Sequence, residues 1–552
     1  MQNFSALKRS ENLLKASSEH FDVIIIGGGI TGAGIALDAA SRGLKVLLLE
    51  KNDFAGGTSS KSTKLIHGGL RYLKQLEFGL VRSVGRERAI IHKLAKHIVK
   101  PVDMLLPIYK NGSLGKFTTS MALWVYDFLA GVDKDDKYKM LDSNATLKKE
   151  PLLNSNGLLG SALYKEYQTD DARLTIEVLK TAASFGALSV NYTLCENFIY
   201  DKQNKNKISG VKFRDILQNK TYKASATKII NATGPWVDEI RLKDPAPDKK
   251  SLHLTKGVHI VINKNRLPVR QAVYFDVVED NRMIFVIPRN NSIYIGTTDT
   301  DYTGDKNIIE VTAQDAAYLL KAVNNVFPDA SLQVQDIISS WAGLRPLIHE
   351  EGKSPSELSR KDEIFVADSG LISIAGGKLT GYRKMAEKVV NKIVKDIEKI
   401  NSTKYAKCKT ATIPLNGSLI NMPMEEYIQR RAGEAVQINL TVNDITYLVN
   451  TYGSDTEKII ELAYKHYQQL PDKADILIYA EILYSIHEEM TNNISDFVIR
   501  RTGRLYFDKA NLGNEYEKMN DIISEILNSS VSEKKDNLLF FEEVFSRASE
   551  FK

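Results

Sequence analysis

Residues 21–50 read FDVIIIGGGITGAGIALDAASRGLKVLLLE, and no other stretch restricts the fold of this chain as strongly. The β-branched run from Val23 to Ile26 has the composition of a strand buried on both faces. It leads straight into Gly27-x-Gly29-x-x-Gly32. In such a turn the first glycine permits the bend, the second admits a pyrophosphate against the backbone, and the third lets helix and strand pack closely. The following helix aims its N-terminal N–H groups and positive dipole end at the same point. A second apolar run, Val46 to Leu49, ends at Glu50, which stands where an adenosine ribose is bound. Strand, turn, helix, strand and terminal acid in this order predict a dinucleotide site on a Rossmann-like α/β core.

After Glu50 the chain continues KNDFAGGTSSKSTKLIHGGLRYL instead of opening the third strand expected of an NAD domain. Gly56, Gly57, Thr58, Ser59 and Ser60 form a polar loop of small residues, suited to wrap a cofactor that extends well past its pyrophosphate. This favours FAD, whose isoalloxazine must reach a distant substrate region.

A chain of 552 residues exceeds what one core usually supports, so two or three domains are expected. The content of 43% hydrophobic and 26% charged residues is that of a globular protein. Cys195 and Cys408 are the only cysteines and lie far apart, which disfavours a disulfide framework and a thiolate metal site and fits a reducing, cytoplasmic setting. No 18-residue apolar run is present, and residues 1–20 lack the continuous apolar core of a signal peptide. Charge is unevenly distributed. Residues 401–552 carry 17 Lys+Arg against 23 Asp+Glu, whereas residues 1–400 carry 57 against 45. A basic N-terminal portion suits an anionic substrate or an anionic membrane surface; no nucleic-acid recognition motif accompanies it.

Residues 1–20 read as a mobile or helical lead-in, with Phe4, Leu7, Leu13 and Leu14 available for docking. Residues 21–400 are expected to hold cofactor and substrate regions interleaved in sequence. The segment from Met104 to Val132 mixes apolar and aromatic residues, and core packing is preferred over lipid contact. Thr169–Ala187 reads as a capped helix; Asp170 and Asp171 at its start are better explained by capping than by a metal. Lys228–Trp236 (KIINATGPW) is a short strand with a Gly-Pro break that returns the backbone toward the cofactor. HLTKGVHIVI, RMIFVIP and SIYIGTTDTD within residues 251–301 predict an antiparallel sheet as the substrate-side layer. Gly376-Gly377-Lys378-Leu379-Thr380 follows a further strand and precedes a helix, a second junction hospitable to anions. Residues 401–552 are expected to form a separate C-terminal helical domain.

Taken together, GGGITGAGIALDAASRG, TSSKSTKLIHGGLRYL, TDDARL, NATGPW, KGVHIV, IGTTDTD, AGLRPL and GGKLTGYRKMAE make the chain resemble FAD-dependent glycerol-3-phosphate dehydrogenases of the bacterial, respiratory kind. The resemblance covers roughly residues 20–390, and HGGLRYL and GGKLT carry it more specifically than the glycine fingerprint. It implies hydride transfer from C2 of sn-glycerol 3-phosphate to flavin N5, giving dihydroxyacetone phosphate, with electrons passed on to a membrane quinone. It further implies a phosphate site of Arg71, Arg360 and Lys378 with Tyr72 nearby. His259 would be the base for the C2 hydroxyl, and Arg345 would stabilise the developing alkoxide. His67 is read as structural. FAD would be held by Gly27, Gly28, Gly29, Thr31, Gly32, Glu50, Thr58, Ser59, Ser60, Lys64, Gly234, Asp299, Gly377, Leu379 and Thr380. Gly381 departs from the family pattern, where a threonine or another polar residue is expected.

The nearest alternative is a glycerol-3-phosphate oxidase, which reduces oxygen to peroxide. Such oxidases carry an extra segment in the substrate half, and the short stretch between AGLRPL and GGKLT leaves little room for one. An amino-acid oxidase would not account for HGGLRYL and GGKLTGYR together. A non-catalytic flavin-binding or membrane-docking protein would not require Arg71, His259, Arg345 and Lys378. Attachment to a membrane is expected to be peripheral, through basic side chains and an amphipathic face of the lead-in or of Met104–Val132. A homodimer is compatible with the sequence.

Overall fold

The computed structural model describes residues 3–67, 78–110, 112, 115–130, 136–244, 251–280, 282–348, 362–470 and 473–551. The β-branched run lies in the strand His20–Ile26, whose last four residues are all buried. Its neighbours are parallel, Val46–Leu49 on one side and Lys220–Asn231 on the other. Ile372–Gly376 extends the sheet beyond Lys220–Asn231, and Leu188–Val190 extends it beyond Val46–Leu49. Helices cover this sheet, as a parallel sheet requires. Ile30–Ser41 and Tyr382–Asn401 pack on each other, and Gly34 marks their crossing, since a Cβ there would stand 2.9 Å from the Tyr382 ring.

The runs within residues 251–301 form the antiparallel layer expected of them. Leu252–Asn263 lies between Ser292–Gly296 and Ile337–Ile348, and Arg282–Arg289 continues the sheet beyond Ser292–Gly296. Asp171–Ser184 is the capped helix, with Asp170 as its N-cap accepting from the Arg173 N–H at 3.0 Å. Among the described residues no group of side chains could hold a metal ion, and no helix is long and apolar enough to cross a membrane.

One expectation needs correction. The lead-in is a helix, Arg9–Ser18, but Phe4 and Leu13 are sealed in the interior and only Leu7 and Leu14 remain exposed for docking. Phe4 stacks on Phe54 at 5.4 Å because two rings bury more apolar area together than apart. The C-terminal region is helical as expected, and buried ion pairs fasten it to the rest. Lys180 meets Asp455 at 2.9 Å, Arg173 meets Glu489 at 2.7 Å, and Arg501 meets Asp53 at 2.7 Å, all deep in the protein. Burial of such charges is tolerable only with partners, and here each partner lies across the boundary. Within Met104–Val132 the strand part is core, while the helix Lys116–Ala130 buries Leu123 and Tyr126 and leaves Phe117 and Met121 exposed.

Candidate active site

The glycine turn has the geometry its spacing predicts. Gly27 has φ +112°, and a Cβ there would stand 2.6 Å from the Ala232 carbonyl oxygen. A Cβ on Gly32 would overlap the Gly27 carbonyl. Gly29 is the N-cap of the helix Ile30–Ser41, and Thr31 lies in its first turn. Glu50 accepts hydrogen bonds from the N–H groups of Gly28, at 2.6 Å, and Asn52, at 2.8 Å. Burial pushes its carboxyl above the ordinary range, and those two N–H groups work against the shift. Glu50 therefore braces the turn, in addition to the ribose contact expected from its position.

The loop after Glu50 bridges the two sheets. Ser59 Oγ accepts from the Ile30 N–H at 2.9 Å, at the mouth of the glycine turn. One residue earlier, the Thr58 hydroxyl donates to the Leu344 carbonyl at 2.7 Å, in the antiparallel layer. Ser60 is buried, and its carbonyl accepts from Lys64 Nζ at 3.2 Å. Asp171 anchors the far end, taking the Ser62 N–H at 2.9 Å and the Lys64 ammonium at 2.5 Å. The cation of Lys64 thus belongs to Asp171, and its backbone, at φ +54°, shapes the loop.

On the antiparallel layer, strand register brings three cross-strand pairs onto one face, His259 with Trp341, Gly257 with Gly343, and Thr255 with Arg345. His259 pairs with Gly296 on its other side, where a Cβ would overlap the imidazole. The imidazole is thus held between the Gly296 backbone and the Trp341 indole, which it stacks at 4.9 Å and 13°. Its Nε2 lies 3.0 Å from Thr63 Oγ1, and its buried Nδ1 has no hydrogen-bond partner among the described residues. Burial, with Arg345 and Lys64 adding to it, holds the ring well below the usual histidine pKa and therefore neutral. Gly257 leaves room for the Arg345 guanidinium, which reaches over it, while Gly343 leaves room for Lys61. It donates to Thr297 Oγ1 at 2.8 Å, the Thr298 carbonyl at 3.1 Å and Asp299 Oδ1 at 3.1 Å.

The second glycine junction lies at the end of Ile372–Gly376. Gly376 and Gly377 have φ +77° and +81°, and Lys378 begins the short turn Leu379–Gly381. The Thr380 hydroxyl donates to the His67 carbonyl at 3.2 Å, which ties this junction to the segment leading into HGGLRYL. Gly234, at φ +56°, opens the turn Gly234–Trp236, and the Trp236 ring packs against Gly57. Arg71, Tyr72 and Arg360 lie outside the described residues.

Residues 22–383 match a family profile described as FAD dependent oxidoreductase, and residues 408–534 match the C-terminal domain of alpha-glycerophosphate oxidase. The aerobic glycerol-3-phosphate dehydrogenase of Staphylococcus saprophyticus is 48% identical over 536 residues, 97% of this chain and 96% of that one. That of Bacillus subtilis is 49% identical over 512 residues, 92% and 91% of the two chains. This chain belongs to the aerobic glycerol-3-phosphate dehydrogenases, within the FAD-dependent oxidoreductases. The crystal structure of the glycerol-3-phosphate dehydrogenase from Bacillus halodurans, complexed with FAD, superposes with a TM-score of 0.85 at 39% identity and covers 99% of both chains.

The residues present fit the family cofactor. Side chains at Gly27, Gly28 or Gly32 would collide with the turn itself or with Ala232, Phe54 and Glu50 beside it, so the turn must present bare backbone. Among the described residues, two buried ring nitrogens, Trp236 Nε1 and His259 Nδ1, are left without hydrogen-bond partners beside the loop of residues 57–64. The sequence reading of this dehydrogenase missed Thr63, Thr297 and Trp341. Trp341 was within reach of it, because strand alternation puts it on the same face as Arg345, four residues on. Nothing local marked Thr63 or Thr297 as partners of residues about 200 and 50 positions away.

Proposed function

We propose that this chain oxidises sn-glycerol 3-phosphate to dihydroxyacetone phosphate and delivers the electrons to a membrane quinone. The observation that carries the proposal is the neutral His259 beside the fixed Arg345, on the sheet face joined through residues 58–63 to the glycine turn. FAD, held by the glycine turn of residues 27–32 and the loop of residues 56–60, would supply the two-electron acceptor for the C2 hydride. His259, kept neutral, is in the form that accepts the proton of the C2 hydroxyl. Arg345 cannot swing away, because Asp299, Thr298 and Thr297 hold it, so its charge faces the developing alkoxide without reorganisation. Lys378, at the glycine-rich junction, with Arg71 and Arg360, is assigned to the phosphate dianion. Contact with the membrane is peripheral in this proposal, supported by the exposed Phe117 and Met121 beside Lys116.

Anaerobic titration of the FAD-loaded protein with sn-glycerol 3-phosphate tests the reading, followed by a soluble quinone analogue or air. Bleaching reversed quickly by the quinone analogue and slowly by air is expected. A second reading, an oxidase, is favoured by the C-terminal match to an alpha-glycerophosphate oxidase domain. Rapid recovery in air with release of peroxide would establish it. A flavin that no concentration of this substrate bleaches would overturn both.

A further inference from the structure

The C-terminal helices reach the candidate catalytic histidine through one indole ring. Trp341 is 3% exposed and stacks on His259, and its Nε1 donates to the Ser62 carbonyl at 3.2 Å. Tyr294 lies 5.9 Å from the indole at 45° and the Lys64 ammonium sits 5.5 Å over it, and two further rings come from the far end of the chain. Tyr506 lies 5.1 Å from the indole at 50°, and Phe507 lies 5.9 Å away at 69°. Both residues belong to the short helix Arg504–Phe507, and their backbone is tied to the antiparallel sheet. Ser339 Oγ donates to the Tyr506 carbonyl at 2.6 Å, and Ser292 Oγ donates to the Phe507 carbonyl at 3.3 Å. Behind Phe507, the Arg289 guanidinium covers the ring at 4.2 Å and pairs with Asp170 at 2.7 Å. The same C-terminal segment sends Arg500 and Arg501 to Asp53, three residues past Glu50.

We propose that Trp341 is a positioning residue for His259, clamped in place by Tyr506 and Phe507, so that the C-terminal helices are a working wall of the active site. The proposal rests on His259 acting as the base. The physical reason lies in how little else holds the ring. One imidazole face lies on the backbone of Gly296, which supplies a flat floor and no directional bond, and Nδ1 makes no hydrogen bond among the described residues. Thr63 alone contacts Nε2 among the described residues. A single hydrogen bond leaves the ring free to tilt about it, and the stacked indole removes that freedom. Displacing a reacting group by about 1 Å can cost roughly a hundredfold in rate.

The test uses full-length, FAD-loaded protein and anaerobic stopped-flow reduction by sn-glycerol 3-phosphate, which separates the limiting reduction rate from substrate affinity. Trp341→Leu is expected to slow reduction by about ten- to a hundredfold, with substrate affinity within about threefold of the parent. Trp341→Phe, which preserves a stacking ring, is expected to recover most of that rate. Tyr506→Leu is expected to lower the rate in the same direction, and it keeps the test open if Trp341→Leu fails to fold. His259→Asn serves as the reference. If it reduces as fast as the parent, the reading of His259 fails and the proposal falls with it. If His259→Asn is slow while folded Trp341→Leu or Tyr506→Leu reduces at the parental rate, the clamp alone is overturned. A loss of affinity with an unchanged limiting rate would also overturn it.

Discussion

Arg501 grips Asp53 with both terminal guanidinium nitrogens, at 2.7 and 2.8 Å, across 448 positions of sequence. Asp53 also receives Arg500 Nε and, at 3.1 Å, the side-chain amide of Asn191. The two arginines hold its carboxyl down at about 2, against the opposing effect of burial. The loop that leaves Glu50 is therefore fastened to the C-terminal helices by an ion cluster buried but for the edge of Arg500.

Asp53→Ala leaves two buried guanidinium groups without their main counter-charge. Removing one partner of a buried pair typically costs about 3–5 kcal/mol. The expected outcome is a lower unfolding midpoint in urea and faster loss of FAD on dilution, since the displaced loop carries Glu50 and Gly56. A midpoint and a FAD off-rate both equal to those of the parent would show that the cluster is not what holds this loop.

Two glycines in recognised motifs are expected to behave oppositely. A Cβ on Gly32 overlaps the Gly27 carbonyl, so Gly32→Ala should yield protein that folds poorly or binds no FAD. Gly381 meets nothing within 4 Å and has φ −90°, open to any residue. Gly381→Thr, which restores the expected family residue, should leave FAD content and melting temperature unchanged. Flavin absorbance per mole of purified protein checks both. Loss of flavin from Gly381→Thr would mean that this position is sterically closed in the holoprotein.

The contrast between these glycines shows what the chain discloses locally. The turn from Gly27 to Gly32, the strand ending before Glu50 and the cap at Asp170 are set by neighbours a few residues apart, and motif spacing captures such neighbours. The antiparallel layer was equally legible, because alternation along 253–262 and 282–296 needs no knowledge of the partner strand. What alternation cannot give is register. The pairing of His259 with Trp341, and of Gly257 with Gly343, depends on which residues of two distant strands face each other. The welding of the C-terminal helices was hidden for a related reason. Arg173, Glu177 and Lys180 read as one polar face of a helix, yet that face is buried against Asp455 and Glu489. Charge alone does not tell a solvated face from one that meets its complement far along the chain.

His97 gives a pH dependence of known sign. It is fully buried, with Nδ1 3.2 Å from Ser418 Oγ. Burial, followed by the nearby cations Arg173, Lys180 and Lys100, pushes it down to about 3. Between there and its unfolded value of about 6.5 the unfolded chain binds a proton that the folded protein does not. Its contribution is therefore complete above about pH 6.5 and is lost as pH falls below that value. From pH 7 to pH 5 the loss from this group alone is about 2 kcal/mol. Urea unfolding at both pH values should show His97→Asn losing less stability than the parent by about that amount. Equal losses would place the acid sensitivity elsewhere, in the buried carboxylates.

Gly257 offers a way to move Arg345 without altering its charge. A Cβ at 257 would stand 2.6 Å from the guanidinium carbon, so Gly257→Ala must push the fork out of the space over Gly257. Its bonds to Thr297, Thr298 and Asp299 would then lengthen or break. The backbone of Leu252–Asn263 tolerates alanine in the middle of a strand, so folding and FAD content should survive. If Arg345 acts on the substrate through a charge-assisted hydrogen bond worth about 1.5–3 kcal/mol, kcat/KM falls by roughly ten- to a hundredfold. Asp299→Asn supplies the control, because it loosens the same guanidinium from the opposite side without adding bulk. A parallel loss in both variants assigns the effect to the position of Arg345. A loss in Gly257→Ala alone assigns it to the filled space, and the role given to Arg345 is then withdrawn.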